Sequence, residues 1–142
     1  MNKFRSYINQ GLLVAMPMLV MATANADVVG TWVGQVSDGN RPVSVLLTVK
    51  QDNSPGDEAG MIKYGKPWDC GLKAEYSGSD QSTNSRFFAL SVPLIGAMPG
   101  PHCKALIDGS VAVTPGSNES LNIVVSTKNN EIKDKTTLHI KE

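Results

Sequence analysis

This 142-residue chain is poor in the residues that carry chemistry. It holds two cysteines and two histidines. Cys70 and Cys103 are too far apart for a C-x-x-C redox or metal motif. His102 and His139, with no close acidic pair, do not fill a standard metal site, so no metal is expected. Nothing resembles a G-x-S-x-G elbow or assembles a serine, a histidine and an acid, so no catalytic residues and no enzymatic activity are expected. The glycines sit singly in turns rather than in a phosphate-cradling cluster, and no cofactor is implied. Basic residues are scattered rather than striped, which argues against nucleic acid. No block of like charge suggests a membrane surface. The apolar run Gly11–Met21 is shorter than the roughly 20 residues that span a bilayer, so no membrane insertion is expected.

That run belongs to a leader. Lys3 and Arg5 precede it with no acid among them, and Ala24-Asn25-Ala26 follows as a small-x-small cleavage site. Residues 1–26 therefore read as a secretory signal peptide, and residues 27–142 as one exported domain, periplasmic or secreted. Without Lys3 and Arg5 the mature part has 11 basic against 13 acidic residues, a net charge of −2. Its 116 residues are enough to bury a core without metals.

No helical period is visible after Ala26. Short alternating runs rich in β-branched residues are separated by Gly, Pro, Asn, Asp and Ser. They lie at Asp27–Val36, Val43–Gln51, Gly60–Tyr64, Leu72–Ser77, Arg86–Val92, Lys104–Ile107, Ser110–Thr114, Ser120–Ser126 and Thr136–Lys141. Asp108-Gly109 is a hairpin signal between two of them, and Asn129–Lys135 reads as charged and exposed. Eight or nine strands at this spacing predict an all-β antiparallel barrel, or a flattened barrel or sandwich. Closure is preferred because it removes the sheet edges that invite aggregation.

In an oxidising compartment Cys70 and Cys103 are expected to form a disulfide. It closes a loop of about 34 residues, which the chain-entropy model values at about 4 kcal/mol. The bond would draw two unusual loops together. One, Tyr64-Gly65-Lys66-Pro67-Trp68-Asp69, carries two large aromatic side chains. The other, Pro93–His102, has three prolines, no charge, and the apolar Leu94, Ile95, Ala97 and Met98. Tyr64, Lys66, Trp68, Asp69, Leu94, Ile95, Met98 and His102 are thus candidates for a protein-docking patch. The plainer reading folds Leu94, Ile95 and Met98 back as a lid on the barrel, with Trp68 covering the disulfide.

Gly30-Thr31-Trp32 resembles the first strand of the calycins, the group of lipocalins and avidins, whose G-x-W indole closes one end of a small β-barrel. Tyr64-Gly65 and Cys70-Gly71-Leu72 are similar to features of small secreted bacterial β domains. The resemblance implies a barrel and, as one option, a carrier of a small apolar ligand held in a cavity lined by Trp32, Val45, Leu47, Phe88, Leu90 and Ile123. Trp32 and Trp68 are the only tryptophans, and neither is followed by an avidin-like polar constellation, so no biotin site is implied. The leading expectation is a non-enzymatic binding protein whose partner is another protein, an enzyme or toxin, which it inhibits or to which it confers immunity. A homodimer through the 93–102 loop is a further reading.

Overall fold

In a computed structural model, residues 28–51, 55–56, 58–93 and 100–142 are described. The leader and the loop candidates Leu94, Ile95 and Met98 lie outside them. Eight strands form a closed antiparallel barrel in simple sequence order: β1 (Gly30–Asp38), β2 (Arg41–Val49), β3 (Glu58–Tyr64), β4 (Cys70–Asp80), β5 (Ser85–Ser91), β6 (Ser110–Pro115), β7 (Ser120–Ser126) and β8 (Ile132–Ile140). Closure is made by β1 against β8, with Trp32 opposite Ile140 and Val33 opposite His139. The barrel, rather than an open sandwich, is what the molecule forms.

Alternation decides which residues fill it. Along β2, Val43, Val45, Leu47 and Val49 are buried while Ser44 faces out. On β7, Leu121, Ile123 and Val125 repeat the pattern. Because side chains on a strand alternate between faces, these positions share the interior face. Trp32 is also interior, and its Nε1–H donates to the Val28 carbonyl at 3.0 Å, which satisfies the one polar atom of the buried indole. Between Glu58 and Gly60 a bulge re-phases β3 against β4. It needs glycine at residue 60, where φ is 153° and a Cβ would run into the Thr48 carbonyl oxygen.

Four expectations are corrected. Lys104–Ile107 is not a strand: Pro101–Leu106 is a short helix, α1. Pro101 stands at its first turn with φ already set for helix, Lys104, Ala105 and Leu106 favour it, and Cys103 and Leu106, three apart, share its buried face. Asp108-Gly109 therefore joins no pair of strands. It follows the helix and bonds to β5, Asp108 N–H donating to Leu90 O and Leu90 N–H to Gly109 O. Val92 falls beyond β5 and is exposed. Segment 129–135, expected to be exposed, enters β8 at Ile132 and buries Asp134.

Candidate functional site

The disulfide forms as the cysteines imply, with Cα atoms 6.1 Å apart. It joins the first residue of β4 to the middle of α1, and Cys103 and Leu106 are both fully buried. The helix is thereby fastened to the barrel, and the β3–β4 connection with Trp68 is brought against His102. The indole and imidazole are stacked, ring centroids 3.6 Å apart and planes 8° from parallel. Tyr64 meets both edge-on, 4.7 Å from His102 and 5.5 Å from Trp68. Such aromatic pairs contribute about 0.5–1.5 kcal/mol each beyond their buried area.

Beneath them lies a carboxylate. Asp134 Oδ2 accepts a hydrogen bond from Tyr64 Oη at 2.7 Å and sits 2.8 Å from His102 Nε2. The His102 and Asp134 side chains are only 7% and 6% exposed, so this is a buried contact between a titratable ring and an acid. Burial, foremost, and then the charge of Asp134 and its hydrogen bond hold the Tyr64 hydroxyl well above the ordinary tyrosine range. The phenol is therefore fixed as a donor, and Asp134 as its acceptor. A buried acid with two partners ties together three segments distant in sequence: the end of β3, the start of α1 and the start of β8.

This places the sequence candidates in two groups. Lys66 and Asp69 are exposed and Trp68 is half-buried. Tyr64, expected on the docking face, is turned inward and 3% exposed, and His102 lies under Trp68 rather than on the rim, so both brace that face from below. Asp134 was missed. Its signal was parity: it shares a face with Leu138 and Ile140 on an alternating strand, but the flanking Lys133 and Lys135 made the segment read as solvated.

Next to this cluster opens a groove of about 660 Å³, lined among others by Asp38, Arg41, Trp68, His102, Lys133 and Asp134. Pro67 and Pro101 form its stiff shoulders. The six residues expected around an interior ligand (Trp32, Val45, Leu47, Phe88, Leu90 and Ile123) all belong to one buried core cluster. None of them lines this groove or either of two smaller pockets formed by described residues. Among the described residues no group of three or more His, Cys, Asp or Glu is placed to hold a metal ion, and no helix is long and apolar enough to cross a membrane. Comparison with family models, with curated proteins and with solved structures returns no match.

Proposed function

We propose that this is an exported, non-enzymatic binding protein that caps another protein in the bacterial periplasm, as an inhibitor or immunity protein of a cell-wall-degrading or toxic enzyme. The observation that supports it is the bracing of one barrel end. The Lys66–Asp69 turn and the start of α1 are tied by the Cys70–Cys103 bond above and the Tyr64–Asp134–His102 contacts below. A surface held this firmly loses little conformational entropy on docking, which favours affinity. The likeness of Gly30-Thr31-Trp32 to calycins enters as one of architecture, with the interior used for packing.

Capture from an exported fraction, followed by assay of the captured enzyme on its wall or toxin substrate, tests the reading. A stoichiometric complex that lowers that activity is expected. Lys66→Glu, an exposed change, and Trp68→Ala, checked for folding by far-UV circular dichroism, should both weaken the complex. Recovery of no stoichiometric partner, or a partner whose activity is untouched, counts against the capping role.

A further inference from the structure

We infer that the groove beside Trp68 and His102 receives an acidic segment of the protein partner, its carboxylates seated on Arg41 and Lys133. The inference rests on the capping reading above and adds the chemistry of what is capped.

By formal charge the groove is balanced, with Asp38 and Asp134 against Arg41 and Lys133. Access to solvent breaks the balance. Asp134 is 6% exposed, and its Oδ2 is engaged by Tyr64 and lies against His102. Asp38 is 35% exposed and is held by Arg41, whereas the Arg41 side chain is 68% exposed. Their contact is a single one, Nη2 to Oδ2 at 3.0 Å. A guanidinium carries five N–H donors in a fixed fork, so most of them remain for a second acceptor. Lys133 is exposed, and no described carboxylate lies within ion-pairing distance of it. What the groove shows to solvent is thus donor-rich and cationic, while its acids are covered or already paired.

The Asp38 contact also holds Arg41 at the β1–β2 turn, where Asp38 and Arg41 are opposite each other in the ladder. Its fork is in place before any ligand arrives, and Arg is the side chain best matched to a carboxylate in two-point contact. The indole of Trp68 and the rings of Pro67 and Pro101 supply apolar contact for the stem of a glutamate or aspartate and its neighbours. A cationic segment would face the two exposed cations directly. A neutral one would leave their charges desolvated without a partner.

The mature protein with its disulfide intact is titrated with poly-L-glutamate, poly-L-glutamine, poly-L-lysine and inorganic phosphate, with tryptophan fluorescence as the readout. Trp32 is 4% exposed, so a change on binding reports Trp68. The expected result is saturable binding of poly-L-glutamate alone, weakening as salt rises. Arg41→Gln with Lys133→Gln should lower affinity at least tenfold, and Lys50→Gln with Lys141→Gln, at the opposite end of the barrel just after β2 and β8, should not. Equal loss in both pairs, a preference for poly-L-lysine, or phosphate binding in place of the polyacid overturns the assignment. If a captured partner binds the Arg41→Gln/Lys133→Gln protein as tightly as the parent, the acidic segment falls while the capping role stands. Groove-dependent binding of poly-L-glutamate with no captured partner supports the anion site and removes the capping role.

Discussion

Trp68 and His102 lie flat on one another, 3.6 Å between ring centroids, although they are 34 positions apart in the chain. Each precedes a cysteine of the Cys70–Cys103 bond, Trp68 by two residues and His102 by one. The bond holds the two segments side by side, and the stack covers the only imidazole–carboxylate contact among the described residues.

Removing the bond should release both layers. The double variant Cys70→Ser/Cys103→Ser is expected to lose about 2–4 kcal/mol in urea unfolding, typical for a loop of this length. Its near-ultraviolet circular dichroism should lose the Trp68 contribution while the far-ultraviolet strand signal persists. An unchanged near-ultraviolet spectrum would show that the stack forms without the covalent link.

Asp134 should couple energetically to the residues above it. Tyr64→Phe is expected to cost about 1–3 kcal/mol, because it leaves a buried carboxylate oxygen short of a donor. Asp134→Ala should cost more, since it orphans the Tyr64 hydroxyl and the His102 ring together. In a double-mutant cycle the pair should fall short of additivity by at least about 0.5 kcal/mol. Strict additivity would mean the 2.7 Å contact carries little energy.

Alkaline pH offers a separate measurement. Burial keeps the Tyr64 proton on in the folded state, whereas the unfolded chain releases it near the ordinary value of about 10. The folded state then binds more protons than the unfolded one above that pH, so stability falls as pH rises. The Tyr64 contribution is present in full below about pH 10 and declines above it by about 1.4 kcal/mol per unit. Urea unfolding of the parent and of Tyr64→Phe across this range should show the gap between them closing at that rate. A constant gap would mean that the phenol ionises in the folded protein as readily as in the unfolded chain.

The bulge on β3 makes a purely structural prediction. Gly60→Ala places a methyl against the Thr48 carbonyl at a φ that L residues rarely adopt. A loss of about 2 kcal/mol or more is expected. Gly39→Ala, in the open β1–β2 turn where a Cβ meets nothing within 4 Å, should cost clearly less. Calorimetric melting of the two variants side by side checks the order.

Much of the scaffold was legible because alternation and turn residues are local properties. Val43, Val45, Leu47 and Val49 announce an interior face, and Asp38-Gly39-Asn40 announces the turn before it, without reference to the rest of the chain. The α1 helix was not legible for the opposite reason. Six residues are too few to display a period, and what stabilises them is Cys103 and Leu106 buried against the barrel, a contact made by distant strands. Asp134 escaped in the same way, since a carboxylate between two lysines reads as solvated until Tyr64 and His102 are seen to converge on it.

By itself the amino-acid order determined the class of fold, the faces of strands such as β2 and β7 and the pairing of the two cysteines. Each of these follows from side-chain period, turn chemistry or the count of thiols. Only the closed barrel decided that Tyr64, Asp134, His102 and Trp68 form one cluster beside a groove. Burial and hydrogen bonding depend on which segments meet in space, and here the meeting is set by the closure of β1 on β8 and by one covalent bond.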